Sequence, residues 1–237
     1  MTTLSLVIPC YNESKNLPLL IERCAESINR SDVEVILVDN GSTDDSPEVM
    51  KKNMLPYSFM RSVRVEKNVG YGHGILAGLN IARGKYLAWT HADLQTDPAD
   101  VLKGLEIIEN SFEPKELFIK GRRYGRLLSD STFTMGMSIF ETIILRKPLF
   151  DINAQPTLFS RDFFYSLEDP PLDFSLDLYI YYMAHKAKLK IKRFPVYFGE
   201  RVHGISHWNI NWKAKVKFIK RTIDYSFHLY SSLKKKK

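Results

Sequence analysis

The chain has 237 residues, is 44% hydrophobic and 26% charged, and carries a net charge of +7 with two cysteines. That length holds one large domain or two small ones, and the composition excludes a disordered chain. Cys10 and Cys24 make neither a disulfide framework nor a zinc spacing, no apolar run reaches the length of a membrane span, and no cleavable signal precedes the first strand, so a reduced cytoplasmic setting is expected.

Residues 3–9 read as a buried strand that Pro9 ends, and the polar turn 10–14 runs into a helix over about 15–29. Residues 33–39 are a second buried strand ending on Asp39, followed by turn formers at 40–47 and a helix near 47–53. A third strand lies near 61–66, and 70–83 make a helix of small residues. Residues 86–91 are a fourth strand that delivers Asp93 to its carboxyl end. Pro98 suits a first helical turn, which makes Asp97 an N-cap. Strands alternating with helices at this pitch predict an α/β fold with a mostly parallel, helix-covered sheet. Further on, the pattern predicts a helix over 100–110, a strand over 117–123 opening into a basic loop, and a helix over 133–145. A strand over 152–160, a helix over 173–186 and a strand over 190–198 follow. The last helix, 212–233, mixes aromatic residues with lysines. No internal repeat or linker divides the chain, so a single domain is expected.

The first, second and fourth strands each end in chemistry: Tyr11-Asn12-Glu13, Asp39 with Gly41 and Ser42, and Asp93 with Gln95. In open α/β sheets ligands gather beyond the carboxyl ends of the strands. A carboxylate and an amide oxygen two residues apart on extended chain face the same side, an oxygen pair suited to a hard divalent cation carrying a diphosphate. The same residues also fit a plain acidic helix cap. Residues 70–77 contain a literal GxGxxA, using Gly72, Gly74 and Ala77, with Asp93 downstream. That pattern admits a pyrophosphate cradle of an NAD-type dehydrogenase, although two strand–helix units precede it. Close packing of helix on sheet explains the same small residues.

The segments VIPCYNE (7–13), VDNGSTD (38–44), NVG (68–70) and ADLQ (92–95), in this order, resemble the signatures of family 2 glycosyltransferases. The branch they resemble most is the dolichyl-phosphate mannose synthase-like enzymes, and the likeness runs from about residue 3 to 208. The resemblance implies a GT-A fold and an inverting transfer of a sugar from a nucleotide-diphosphate sugar to a polyprenyl-phosphate or saccharide acceptor. It implies a domain over 1–210, with a nucleotide-sugar half at 1–98 and an acceptor half at 99–210, before a basic amphipathic helix and tail at 211–237. It assigns Pro9, Tyr11, Asn12, Glu13, Asp39, Gly41, Ser42, Gly70, Ala92 and Asp93 to the donor. Asp93 and Gln95 match the residues that hold Mn²⁺ or Mg²⁺. Arg201 opens a segment, 201–207, whose arginine reaches phosphates.

The chain departs from the pattern at His91-Ala92-Asp93, which has one carboxylate fewer than the usual Asp-x-Asp, and at His207, where lysine is common. His91 is expected to support the site rather than to bind metal. The missing acid also admits a non-catalytic sugar-nucleotide-binding relative. Asp151 is the first candidate for a base or an acceptor-positioning acid. Asp177 is second, and a helix-dipole role explains it equally. Lys120, Arg122, Arg123, Gln155 and Ser206 are candidates for the acceptor and its phosphate. The basic last helix suits peripheral contact with anionic lipid on the inner face of a membrane. Nucleic acid is not an expected partner, because the charge comes without a motif.

Overall fold

The computed structural model of the protein describes residues 1–126, 128–203 and 212–235, so Ser206 and His207 lie outside the described residues. The chain runs β1 (Leu4–Cys10), α1 (Leu17–Ser27), β2 (Val33–Asp39), α2 (Ser46–Met54), β3 (Met60–Arg64), α3 (Tyr71–Ile81) and β4 (Tyr86–Trp89). It continues through α4 (Asp100–Glu109), β5 (Leu117–Tyr124), α5 (Leu128–Leu145), β6 (Thr157–Ser160), α6 (Arg161–Tyr165), α7 (Leu176–Lys186), β7 (Lys190–Tyr197) and α8 (Trp212–Lys235). Among the described residues the strands form one sheet in the order β3-β2-β1-β4-β6-β5-β7. β6 runs antiparallel to both of its neighbours, and the other pairings are parallel. The expected mostly parallel, helix-covered sheet is what forms.

β1, β2 and β4 bury nearly every residue, as strands covered on both faces must. One face packs Leu6, Ile8, Leu37 and Leu158 against α1, α2 and α4. The other packs Val7, Trp89, Phe118 and Phe159 against α3, α6 and α7. There Phe118 stacks on Phe159 and on Tyr181 at 5.8 Å each. Gly78 lets α3 lie directly on the side chains of Val7 and Val38, where a Cβ would collide.

Several expected boundaries move for physical reasons. Pro9 does not end β1; it pairs with Val38 inside the strand. Thr90 N–H donates to the carbonyl of Val7 at 3.1 Å, so Val7 and Pro9 both direct their backbone polar positions toward β4. β4 ends at Trp89, opposite Val7, and the N–H that Pro9 lacks has no partner to lose there. Asp97 is not the N-cap of α4, which begins at Asp100. It accepts from Ala99 N–H at 2.9 Å and takes a two-pronged bond from Arg23. The strand expected over 152–160 shrinks to Thr157–Ser160, because residues 151–156 turn back toward the sheet's carboxyl edge. α6, unforeseen in the sequence, starts where Ser160 Oγ accepts from Phe163 N–H.

Candidate active site

The carboxyl ends of β2, β1 and β4 lie side by side, and the loops that leave them carry the first wall of the site. Two of those loops contain a non-glycine residue at positive φ, Asn12 at 55° and Leu94 at 56°. Such conformations persist only where surrounding contacts hold them. Asn12 is held by its N–H donating to Ser42 Oγ at 3.0 Å and by its Oδ1 accepting from Thr43 N–H at 2.9 Å. Glu13 N–H donates to Ser46 Oγ at 2.9 Å, so the loops after β1 and β2 are stitched together. Tyr11 is left exposed at their rim. Gly41 (φ 73°) completes the seam; a Cβ there would lie 2.5 Å from Asn68 N.

Asp39 is buried at the end of β2, with Oδ1 accepting from Ser42 N–H at 2.9 Å. Its Oδ2 makes no hydrogen bond, although Arg64 Nη1 lies 3.3 Å away. It remains an acceptor for a ligand hydroxyl or base N–H. Glu13 is raised above the usual carboxylate range, first by burial and then by the charge of Asp93, while an Asn16 hydrogen bond and Arg201 oppose the rise. Glu13, Asp93 and Arg201 therefore share one electrostatic neighbourhood.

Asp93 and Gln95 do not sit on extended chain. Leu94 reverses it, and Gln95 N–H donates to Asp93 Oδ1 at 3.2 Å. Their oxygens still converge, because both bind one guanidinium. Arg201 Nη2 lies 2.9 Å from Asp93 Oδ2, and Arg201 Nε donates to Gln95 Oε1 at 3.0 Å. The stretch after β7 fastens the turn from the other side: Gly199 N–H donates to the Gln95 carbonyl at 2.8 Å and Gln95 Nε2 donates to the Gly199 carbonyl at 3.1 Å. A pair of oxygens already gathered around one cationic group fits a divalent cation that takes its remaining ligands from a diphosphate. Among the described residues no group of three or more His, Cys, Asp or Glu forms a metal site. His91 stacks on Tyr71, with ring centroids 5.5 Å apart, and burial lowers its pKa against the opposing charge of Asp93.

The glycine motif belongs to packing. Gly70 and Gly72 press against the backbone of 171–173, and His73 N–H, at the start of α3, donates to the Leu172 carbonyl at 2.8 Å. A pyrophosphate has no open helix start to occupy, which removes the dehydrogenase reading. Gly70 accepts from Asn40 Nδ2 at 2.9 Å, behind the β2 end. A Cβ at Gly72 would lie 2.6 Å from the Pro171 carbonyl, an atom of fixed backbone. Gly72→Ala is therefore expected to cost about 1–3 kcal/mol of unfolding free energy in a urea titration, and an unchanged midpoint would reject the packing role.

The second wall corrects three expectations. Asp151 is not placed to act as a base. Burial raises its pKa, but the charge and hydrogen bonds of Arg123 outweigh this and hold it below the ordinary carboxylate range. Arg123 donates to it from its backbone N–H at 3.0 Å and from Nε at 2.8 Å, and Arg193 Nη2 is 3.8 Å away. Asp151 instead gathers these arginines. A folded pKa below the unfolded one gives stability that is present above about pH 4 and is lost as pH falls through the folded value. Asp151→Asn is expected to lose about 1–3 kcal/mol at pH 7, with the gap to the wild type closing on acidification.

Lys120 does not meet a phosphate. It is 0% exposed, donates to Thr157 Oγ1 at 2.8 Å and faces Asp177 Oδ1 at 3.6 Å. Gln155 is likewise buried, with Nε2 donating to Asp177 Oδ1 at 2.9 Å. That donor is spent, and the acceptor oxygen left over would repel a phosphate. Arg122 is exposed near the end of β5. The sequence reading passed over Arg64, Tyr71 and Phe174. Only Tyr71, inside a glycine run, carried a hint of close packing.

A family model described as Glycosyl transferase family 2 matches residues 5–153. The undecaprenyl-phosphate 4-deoxy-4-formamido-L-arabinose transferase of Yersinia enterocolitica is 35% identical over 112 residues, which cover 46% of this chain and 34% of that protein. The enzyme of the same name from Serratia proteamaculans is 33% identical over the same shares. The match thus spans about a third of the length of these curated relatives. Among solved structures, glucosyl-3-phosphoglycerate synthase from Mycobacterium tuberculosis with Mn²⁺, UDP-glucose and phosphoglyceric acid superposes with a TM-score of 0.71 at 15% identity, covering 97% of this chain and 79% of that one. The mannosyltransferase PcManGT from Pyrobaculum calidifontis with GDP-Man and Mn²⁺ gives a TM-score of 0.64 at 19% identity, covering 84% and 57%. The fold is the GT-A fold of these glycosyltransferases.

Proposed function

The chain belongs to glycosyl transferase family 2, and we propose that it transfers a sugar, with inversion, from a nucleoside-diphosphate donor to a polyprenyl phosphate. The observation that carries this reading is the convergence of Asp93, Gln95 and Arg201 beside the ends of β1 and β2. Asp39 Oδ2 and the stitched Asn12–Ser42 seam receive the nucleoside. Pro9, Tyr11, Glu13, Gly41 and Ala92 line the same edge. Asp93 and Gln95 hold the divalent cation, which, when bound, offsets the charge of the departing diphosphate. Arg201 adds a fixed positive charge beside that leaving group.

A polyprenyl phosphate arrives as an anion and needs no proton removed before it attacks. The clamped Asp151 agrees with that chemistry, since a hydroxyl acceptor would want a free carboxylate within reach. Arg122 at the end of β5 offers the acceptor phosphate a donor. The relatives are named as undecaprenyl-phosphate transferases, which favours the same acceptor class over a saccharide. No helix among the described residues is long and apolar enough to cross a membrane. The lysine-rich sequence of α8 suits the peripheral contact that a lipid-linked acceptor requires.

The test is a thermal-shift panel of UDP, GDP and CMP with Mn²⁺ or Mg²⁺, followed by transfer from the matching sugar nucleotides to undecaprenyl phosphate in detergent. A ligand at a hundredfold excess over its Kd adds about 2.7 kcal/mol to the folded state. A metal-dependent shift with one nucleoside diphosphate and product on the lipid are expected. Binding without transfer to any acceptor would favour the non-catalytic reading instead.

A further inference from the structure

The last helix is joined to the site by a continuous stack. Phe174, in the loop before α7, lies flat on Tyr71 with ring centroids 4.7 Å apart and planes at 10°. Tyr71 in turn stacks on His91 at 5.5 Å, two residues before Asp93. The guanidinium of Arg221 in α8 also lies over the Phe174 ring, 5.3 Å from its centroid, and its Nε is 3.8 Å from Asp173 Oδ2. The order is Arg221, Phe174, Tyr71, His91.

Each layer is fixed from outside the stack. The backbone around Phe174 is fastened to α3 by the His73–Leu172 hydrogen bond and by the glycine seats at Gly70 and Gly72. Tyr71 hydroxyl accepts from Gln155 Nε2 at 3.4 Å. α8 is docked on α5 by a buried bond of 2.6 Å from Ser226 Oγ to Glu141 Oε2, and by Phe227 set edge-on to Phe140. Tyr225, one turn beyond Arg221 and so on its face of the helix, packs on the core that holds Trp89 and Ile180. Phe174 is 42% exposed, and an aromatic ring that open needs a second partner to keep one rotamer. Arg221 is that partner.

From this geometry we infer that Arg221 and Phe174 are positioning residues of the donor site. They press Tyr71 onto His91 and so hold the strained turn that carries Asp93 and Gln95. The final helix is then a wall of the site, and whatever surface α8 meets acts on the donor through four side chains. Small displacements of a group that holds a reacting centre have large effects on rate, which gives the arrangement its use. The inference rests on the donor reading above for its consequence, but not for the stack itself.

The test uses the full chain with Arg221→Ala, Phe174→Leu and Arg221→Lys. Two readouts are taken: the His91 Cε1–H resonance, identified by its loss in His91→Gln, and the affinity of UDP and GDP with Mn²⁺ by calorimetry. The stacked ring is shielded by Tyr71, so Arg221→Ala and Phe174→Leu are expected to move the resonance downfield. Both should weaken the nucleotide that binds by roughly three- to tenfold. Arg221→Lys keeps a cation over the ring and should restore both readouts. A resonance that stays in place in both variants overturns the inference, as does weakened binding without movement of His91. If neither nucleotide binds the wild type, the donor reading fails, and the resonance alone decides the stack.

Discussion

Asp93→Ala is expected to lower glycosyl transfer by about 10²–10³-fold, the usual loss when a preorganised electrostatic contact to a leaving group is removed. The carboxylate is only 7% exposed, but its partner Arg201 is 28% exposed and can turn to water, so the melting temperature should change little. Asp93→Asn separates charge from shape. It keeps an oxygen opposite Arg201 and loses the charge that a dication needs, so it should track the alanine variant in activity and the wild type in stability. Initial rates at saturating donor, with Mn²⁺ titrated over a wide range, make the measurement. Full turnover in either variant would show that Asp93 serves only as the anchor of Arg201.

The second large effect lies away from the chemistry. Asp177→Leu is expected to cost about 1–3 kcal/mol at neutral pH, because it leaves the Lys120 ammonium buried without its counter-charge and the Gln155 amide without its acceptor. The double variant Lys120→Met with Asp177→Leu should recover part of that loss, since no charge is left buried while the Gln155 amide still lacks its acceptor. Denaturant titrations of all four proteins give the coupling directly. The pair also leaves a signature in pH. Burial lowers the Lys120 pKa from 10.5 to about 8, against the pull of Asp177. Between those values the unfolded chain binds more protons than the folded one, so this lysine makes stability rise with pH across the window. Below about pH 8 the full cost of burying the charge is present. Lys120→Met should abolish that rise, and a wild type whose stability relative to the variant is flat from pH 8 to 10.5 would contradict the buried charge.

How far the sequence carried the fold depends on whether the signal was local. β2 was read to the residue, because Val35 to Val38 is an apolar run closed by Asp39 and opened by Val33 and Glu34. The clustering of Asp39, Asp93 and the Asn12–Glu13 turn was legible for a related reason: each lies at, or just beyond, the carboxyl end of a strand. The geometry of Asp93 and Gln95 was not, since the reversal at Leu94 is imposed by Gly199 and Arg201, more than a hundred residues away. Asp151 and Lys120 were misjudged for one cause. A lone acid and a lone lysine beside a strand look available until the fold brings arginines to the one and Asp177 to the other. The glycine motif had two sound explanations in sequence, and only the carbonyls of Pro171 and Leu172 chose between them.

The antiparallel β6 has a consequence for how such a protein can change. Between Tyr124 and Thr157 the chain makes one excursion, leaving from the end of β5 and returning by the strand next to it. The two ends are tied by Gly121 N–H donating to the Pro156 carbonyl at 3.0 Å, so departure and re-entry are fixed whatever lies between. The excursion behaves as a cassette. Its replacement by a longer, shorter or differently charged segment leaves β1, β2 and β4 unbroken. A splice of one contiguous stretch of gene therefore alters the surface beside this edge of the sheet without cutting β1, β2 or β4.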